Sequence, residues 1–197
     1  MYVMYLVIFV IGYLLGNINA AYIYGRLTTK TDIRQHGSGN AGTTNALRVM
    51  GKKAAAIVFA GDFLKGLLAV LTAGFVSDGT YAQAIAALAV ILGHIWPAFL
   101  KFRGGKGIAT LMGAYCVIAP IPLIIALVIA IIIIALTKLV SLASICGIYS
   151  ILITLIITTG FSVEVILTVM IVIISTYQHR GNIMRIIKGE ENKLELY

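Results

Sequence analysis

The residues best equipped for chemistry form a polar, glycine-rich stretch at positions 37–48 of a chain that is otherwise mostly apolar. Its glycines, Gly37, Gly39 and Gly42, allow backbone conformations in which successive N–H groups point at one guest. Short hydrogen-bonding side chains and a guanidinium accompany them, at Ser38, Asn40, Thr43, Thr44, Asn45 and Arg48. Donors of this kind bind oxyanions. The stretch therefore predicts an oxyanion-binding site, with a flexible cytoplasmic loop as the alternative.

A second basic, glycine-rich cluster follows an apolar run further along the chain. It comprises Lys101, Arg103, Gly104, Gly105, Lys106 and Gly107. Adjacent glycines and a lysine at the start of a helix can surround a phosphate with backbone N–H groups and an ammonium. The cluster resembles the end of a nucleotide-binding P-loop, but Ile108 stands where that motif has Ser or Thr. We therefore expect phosphate binding without ATP hydrolysis, and a basic topology loop is the alternative.

The histidines lie at positions 36, 94 and 179, without clustered carboxylates or thiols. Because metal sites need such clusters, the sequence predicts no metal site and no cofactor. His179 opens a charged tail and is followed by Asn182, so a phosphate-binding or proton-accepting role is predicted for it. His94 ends an apolar segment, where we expect an interface or packing residue.

Asp62 and Lys65 are charged residues inside an apolar segment. Because they are three positions apart, they lie on one face of a helix. Charges within a membrane are costly and usually face a partner or a wet cavity. A structural ion pair and a direct part in catalysis are both compatible with this pattern.

Composition places these motifs in a membrane protein. The chain has 197 residues, of which 60% are hydrophobic and 11% charged, and its mean hydropathy is +1.03. A soluble domain of this size needs more surface charge. The net charge of +8 would favour nucleic-acid binding in a soluble protein, but basic cytoplasmic loops account for it here. We therefore predict no nucleic-acid partner, and no motif indicates an obligate protein partner.

The apolar segments predict an all-α, polytopic transmembrane bundle of about seven helices in a single domain. Segment 108–137 is too long for one straight span and is interrupted by Pro120 and Pro122, so we expect two helices there. The other spans are predicted at residues 2–25, 54–76, 81–99, 139–159 and 162–178.

Charge orients this bundle. With seven helices and the N-terminus outside, nearly all cations lie in the cytoplasm, whereas the outer loops carry the acids Asp78 and Glu164. The C-terminus is then cytoplasmic as well. Loop 26–53, loop 100–107 and tail 179–197 share this face, so we expect the polar clusters to meet at one site on the membrane surface.

Four motifs in one order resemble those of a known enzyme family. They are Gly-Ser-Gly-Asn-x-Gly-x-Thr-Asn-x-x-Arg at 37–48, Gly-Asp-Phe-Leu-Lys-Gly at 61–66, Gly-His-x-x-Pro…Phe-Arg-Gly-Gly-Lys-Gly at 93–107 and His-Arg-x-Asn-Ile at 179–183. Together they look like the bacterial acyl-phosphate:glycerol-3-phosphate acyltransferase family of small integral membrane enzymes. The resemblance covers essentially the whole chain.

The resemblance implies a reaction and a location. An acyl phosphate gives its fatty acyl group to the sn-1 hydroxyl of glycerol 3-phosphate, which yields 1-acylglycerol 3-phosphate (lysophosphatidic acid) and phosphate for phospholipid synthesis. The implied location is the bacterial cytoplasmic (inner) membrane, where a multi-pass chain contacts membrane lipid and keeps its active site on the cytoplasmic face.

The resemblance also implies residue roles. The catalytic residues that grip glycerol 3-phosphate would be Ser38, Arg48, Lys106, His179 and Asn182. The backbone of residues 39–45 would hold the acyl phosphate and the developing oxyanion, and the cluster at 101–107 would bind substrate phosphate. The general base is either His179 or a phosphate oxygen of the substrate.

An organic-phosphate or anion transporter is the main alternative function, because phosphate-binding loops among membrane helices also suit carriage. Secondary transporters usually show internal repeats and a midplane site, whereas here the polar clusters are predicted at one face. A His-x4-Asp pair, used by another class of glycerol-phosphate acyltransferases, is absent, since Ala41, Phe99 and Met184 stand at the acid's position. Ser38 as an acylated nucleophile is a further option.

Overall fold

The computed structural model describes residues 2–77 and 79–194, and this part of the chain is helical without any strand. The helices in it are α1 (Tyr2–Asn17), α2 (Ala20–Thr28), α3 (Thr43–Val76), α4 (Thr80–Ile95), α5 (Ile108–Ile118), α6 (Pro120–Thr137), α7 (Val140–Thr159), α8 (Val163–Gln178) and α9 (Arg180–Ile187). Short 3-10 helices cover Ile33–Gln35 and Ala98–Leu100. The all-α prediction is therefore confirmed.

Within the described residues, five helical segments are long and apolar enough to cross a membrane. They are Tyr2–Thr28, Thr43–Val76, Thr80–Leu100, Pro120–Thr137 and Val140–Thr159. The α8 helix passes the same test only together with α9, from which it is bent by 60°, and α5 is a shorter apolar helix. Each apolar segment selected from the sequence thus contains a helix.

The two-helix prediction for residues 108–137 is confirmed. Only Ala119 separates α5 from α6, and Pro120 begins α6. At the first position of a helix, the missing N–H of proline has no intrahelical acceptor to lose and its fixed φ suits the helix. The predicted orientation and the single domain stay predictions. Glu164 lies in the first turn of α8, while Asp78 lies outside the described residues.

Segment 26–53 is predicted as a loop, but it is helical at both ends, because α2 continues to Thr28 and α3 begins at Thr43. The α3 helix continues into the membrane segment with one break, at Gly51 (φ 83°, ψ −177°). Because only glycine adopts this conformation readily, Gly51 marks the kink between a short polar piece and the apolar span. The tail begins with the helix α9.

The first of two compact units, Met1–Ile118, holds α1 to α5. Glycines let its helices approach closely. A Cβ on Gly16 would collide with the α4 backbone, and one on Gly93 would collide with the α1 backbone. Gly66 and Gly113 play the same part between α3 and α5. Close contacts at small residues drive helix association in lipid, where the hydrophobic effect between helices is absent.

The second unit, Ala119–Tyr197, holds α6 to α9. Its α7 packs against both α6 and α8. The tail returns to the start of α7, where the Leu194 N–H donates to the Lys138 carbonyl at 2.7 Å. The tail is therefore anchored on its own unit.

Candidate active site

The glycine-rich stretch is built around the side chain of Asn45, which is buried. The two protons of its Nδ2 are shared among the carbonyls of Ile33 (3.2 Å), His36 (3.0 Å) and Asn40 (2.9 Å). Its Oδ1 accepts from the Ser38 N–H at 2.9 Å. The bonds of Asn45 hold the loop in shape. The sequence predicts substrate binding for Asn45, whereas in the structure its side chain shapes the loop.

The loop ends at the N-terminus of α3. Gly42 is the N-cap residue and has no side chain with which to bond the first-turn N–H groups. Those N–H groups belong to Thr43, Thr44 and Asn45, and such groups have no carbonyl acceptor within their own helix. Together with the helix dipole they attract an anion. Ser38 and Arg48 flank this point, and both are exposed.

The second cluster forms a tight loop between α4 and α5. Gly104 N donates to Ile95 O, and Gly105 N donates to His94 O, both at 3.1 Å. Gly107 has a φ of 83° and directly precedes α5. Lys106 is half-buried in this loop, whereas the predicted ligands Lys101 and Arg103 are exposed.

The first two polar clusters lie against each other within the first unit. Ala41 N donates to Gly104 O at 3.4 Å. A Cβ on Gly105 would lie 2.9 Å from Ala41 O, so only glycine allows this approach. Asn19, from the break between α1 and α2, adds a 3.0 Å bond from its Nδ2 to Ala41 O. Two glycine loops, from positions far apart in sequence, thus form one polar surface.

An ion pair between Asp32 and Arg34 lies next to this surface. The Arg34 guanidinium binds both carboxylate oxygens of Asp32, at 2.9 and 2.7 Å, and donates to the Leu100 carbonyl at 2.7 Å. It also lies 5.0 Å above the Tyr22 ring. The hydrogen bonds from Arg34 hold the pKa of the Asp32 carboxyl below its ordinary value of 3.8, although burial opposes this. Arg34 therefore joins the segment before the first loop to Leu100, which directly precedes the second loop.

Beneath the loops lies a buried cluster of Asp62, Lys65 and His94, whose side chains are 1%, 5% and 3% exposed. Lys65 Nζ lies 2.9 Å from Asp62 Oδ1 and 2.8 Å from His94 Nδ1. The ion pair between Asp62 and Lys65 is present. The third residue of the cluster, His94, is expected from the sequence to be an interface or packing residue.

His179 and Asn182 belong to the second unit. His179 is buried, and its Nδ1 lies 2.8 Å from the Ser175 carbonyl. A carbonyl only accepts, so Nδ1 carries the proton and the lone pair of the neutral ring is on Nε2. Asn182 Nδ2 donates to Glu191 Oε1 at 2.6 Å. The predicted meeting of these residues with the two loops stays a prediction.

Glu191 collects donors from separate segments of the second unit. Besides Asn182, it accepts from Ser141 Oγ at 3.0 Å and from Arg185 Nε at 2.8 Å. Burial disfavours the charge, but these hydrogen bonds outweigh it, so the pKa of Glu191 lies below its ordinary value of 4.5. Glu191 thus fixes the position of Asn182.

Sequence reasoning missed Asn19, Arg34 and Glu191 as parts of the site. Their partners lie 22, 66 and up to 50 positions away in sequence, so no local pattern reveals the contacts. The available signal was weak. Asn19 interrupts an apolar segment, and Glu191 is one of several acids in a tail of mixed charge.

The fold and the site define an all-helical integral membrane protein with paired glycine loops suited to anions. The family model described as glycerol-3-phosphate acyltransferase matches residues 6–189 of the chain. The chain belongs to this family.

Individual relatives agree with this membership. Glycerol-3-phosphate acyltransferase of Thermoanaerobacter pseudethanolicus is 49% identical over 185 residues, which cover 94% of this chain and 93% of the relative. The enzyme of that name from Clostridioides difficile is 43% identical over 198 residues, with 96% and 95% covered.

The fold also matches a solved structure. The crystal structure of PlsY (YgiH), an integral membrane glycerol 3-phosphate acyltransferase, in its glycerol 3-phosphate form has a TM-score of 0.91 and 33% identity. The match covers 97% of this chain and 96% of that one. Its lysophosphatidic acid form gives a TM-score of 0.88 and 32% identity, with 98% and 96% covered.

Proposed function

We propose that this chain transfers a fatty acyl group from an acyl phosphate to the sn-1 hydroxyl of glycerol 3-phosphate. The products are 1-acylglycerol 3-phosphate (lysophosphatidic acid) and phosphate. The observation that carries the proposal is the contact of the two glycine loops at Ala41 and Gly104, because both substrates bring a phosphate group. Family membership and the glycerol 3-phosphate form of PlsY support the acceptor.

The proposed roles follow the chemistry of each group. Ser38, Arg48 and Lys106 bind glycerol 3-phosphate, as do His179 and Asn182 from the second unit. The backbone N–H groups of residues 39–45 hold the acyl phosphate and the oxyanion that develops on its carbonyl. The remaining residues of the second loop, Lys101, Arg103, Gly104, Gly105 and Gly107, contribute N–H groups and positive charge to the phosphates.

The reaction requires no covalent enzyme intermediate, because an acyl phosphate is already an activated mixed anhydride. The sn-1 hydroxyl oxygen attacks the acyl carbonyl carbon, the bond from that carbon to the phosphate oxygen breaks, and phosphate leaves with the electron pair. Preorganised N–H donors stabilise the oxyanion, and the phosphate grips position the hydroxyl.

The hydroxyl proton passes either to His179 or to a phosphate oxygen of the substrate. The tautomer set by Ser175 supports His179, because it leaves the lone pair of the ring on Nε2. Glu191 would assist by holding Asn182 in place. No metal or cofactor enters the proposed mechanism.

The proposed location is the bacterial cytoplasmic membrane, with the loops on the cytoplasmic face. The acyl chain is then held in the lipid phase between helices, while glycerol 3-phosphate enters from water. Both substrates reach the site without crossing the membrane.

The test is an assay of the purified chain in detergent with acyl phosphate and glycerol 3-phosphate. We expect stoichiometric release of inorganic phosphate and formation of a lysolipid acylated at sn-1. An acyl thioester in place of acyl phosphate is the donor control and should give little product.

Activity with the thioester alone would overturn the proposed donor. Uptake of glycerol 3-phosphate into proteoliposomes, without acyl transfer from either donor, would instead favour the transporter that the sequence left as the alternative.

A further inference from the structure

The buried cluster is connected far beyond its own three side chains. Lys65 Nζ also lies within hydrogen-bonding distance of the carbonyls of Gly16 (3.1 Å) and Ile18 (2.7 Å), so its three protons are shared among four acceptors. These carbonyls lie where α1 ends and the chain breaks before α2. Lys65 of α3 therefore holds the end of α1 and the histidine of α4 at the same time.

His94 contacts the second glycine loop directly. Its carbonyl accepts from Gly105 N at 3.1 Å. A Cβ on Gly104 would collide with His94 O, and a Cβ on Gly105 would collide with His94 Nε2. Because no space separates the imidazole from the loop, a shift of the imidazole toward the loop would displace the backbone that precedes Lys106.

The other branch leads to the first glycine loop. Ile18, whose carbonyl Lys65 binds, directly precedes Asn19. Asn19 Nδ2 donates to Ala41 O, one residue before the N-cap of α3. The Lys65 ammonium thus contacts both His94, which packs against the second loop, and Ile18, which directly precedes the residue bonded to the first loop. All of these residues belong to one compact unit.

The contacts of the cluster converge on two side-chain nitrogens. Lys65 Nζ lies within 3.1 Å of Asp62 Oδ1, His94 Nδ1 and the two carbonyls at the end of α1. His94 Nδ1 lies 2.8 Å from Lys65 Nζ and 3.4 Å from Asp62 Oδ1. The imidazole is therefore held by both charged side chains of α3.

We propose that Asp62, Lys65 and His94 are positioning residues that set the relative placement of the two glycine loops, and so the affinity for glycerol 3-phosphate. The inference rests on the proposed phosphate-binding role of those loops. None of the three touches the substrate; Lys65 acts through His94 and Asn19.

A purely structural role would be served better by apolar side chains. Buried ion pairs usually contribute less to stability than well-packed apolar replacements, because desolvation of the charges offsets their attraction. Retention of this cluster beneath the loops fits a role in geometry. Substrate affinity, measured on folded variants, is therefore the readout that tests this role.

The first test compares His94→Leu with His94→Asn. The two replacements have nearly the same shape, but only asparagine keeps an acceptor near the Nδ1 position for Lys65. We expect the glycerol 3-phosphate Kd of His94→Leu to exceed that of His94→Asn by about tenfold, as befits one lost charge-assisted hydrogen bond. The measurement is calorimetric titration of glycerol 3-phosphate into the folded, detergent-purified protein.

Thr110→Val is the matched control. Thr110 is fully buried in α5 of the same unit, and its hydroxyl has no hydrogen-bond partner among the described residues. Its substitution should leave the Kd at the wild-type value. Equal Kd values for His94→Leu and His94→Asn would overturn the inference.

The second test replaces the charges together, as Asp62→Leu with Lys65→Met. We expect a KM for glycerol 3-phosphate raised at least tenfold in the folded double variant, because the contacts that place His94 and Ile18 are lost. A double variant with wild-type KM would show the cluster to be structural only. If this variant is not recovered folded, the His94 pair decides the question alone.

The two proposals fail differently. If the wild type binds glycerol 3-phosphate but does not use acyl phosphate, the proposed donor is wrong and the Kd comparison still tests the cluster. If the wild type is active and the variants match it, the cluster inference alone is wrong.

Discussion

At the scale of the residue, Asn45 shows how one side chain can organise a binding loop. Its amide bonds the backbone at Ile33, His36, Ser38 and Asn40. Those bonds use both Oδ1 and Nδ2 of the amide. They hold the loop segment in which Gly37 and Gly39 adopt left-handed backbone conformations. Polar residues near the anion site therefore divide into those that hold the loop and those that face the ligand.

Glu191 gives a prediction at the same scale. Glu191→Gln removes the negative charge that Arg185 and the hydrogen-bond donors of Ser141 and Asn182 surround. We expect the free energy of unfolding at pH 7 to fall by about 1–3 kcal/mol, the range for a partly buried, charge-assisted hydrogen bond. The measurement is thermal unfolding in detergent, with the exposed neighbour Glu190→Gln as the control.

The pH dependence of this effect has a definite sign. The pKa of Glu191 is lowered from 4.5 in the folded protein. The charged side chain therefore stabilises the fold fully above pH 4.5, and this stabilisation is lost as the pH falls through the lower pKa of the folded protein. The difference between the wild type and Glu191→Gln should shrink over that range. A difference that grew toward low pH would contradict the assigned ion pair.

At the scale of the element, α3 combines two tasks in one helix. Its first piece, up to the kink at Gly51, carries the N-terminal N–H groups and Arg48, which we propose bind the anion. Its second piece crosses the membrane and carries Asp62 and Lys65. The kink at Gly51 lets the two pieces point in different directions, so the orientation of the first piece is independent of the direction of the membrane span.

Gly51→Ala tests this element. A Cβ at Gly51 meets no atom within 4 Å, so the whole effect comes from the φ of 83°. Such strain costs about 1–3 kcal/mol. We expect a lower thermal midpoint and a raised KM for glycerol 3-phosphate, measured with acyl phosphate saturating.

The control is Lys53→Ala, an exposed helical position two residues further on. It should behave as the wild type in both measurements. A Gly51→Ala protein with unchanged midpoint and KM would show that α3 can straighten without consequence.

Elements were largely predictable because apolar length and proline are local signals. The segments at 139–159 and 162–178 agree with α7 and α8 to within a residue or two. The helical start of α3 was not predicted, since Thr43, Thr44 and Asn45 favour loops by propensity and only the surrounding contacts make them helical. The site was predictable as a set of residue types but not as a set of contacts.

At the scale of the whole molecule, the predicted orientation can be tested by cysteine accessibility. After replacement of Cys116 and Cys146, a single cysteine is placed at the exposed position Phe161 or at Glu190. We expect a membrane-impermeant maleimide to label position 161 in intact spheroplasts and position 190 only after lysis. The opposite pattern would place the loops outside and remove the cytoplasmic site.

The Asp62–Lys65 pair has a consequence for how the chain is inserted into the membrane during synthesis. A lone lysine at the centre of a span costs about 2.5–3.5 kcal/mol on insertion scales. Here the balancing carboxylate is three residues earlier on the same helix, so α3 can leave the translocon as a neutral segment. The carbonyls of Gly16 and Ile18 are already in place by then, and His94 arrives with the next span. Each partner of Lys65 is thus supplied in the order in which the ribosome makes it.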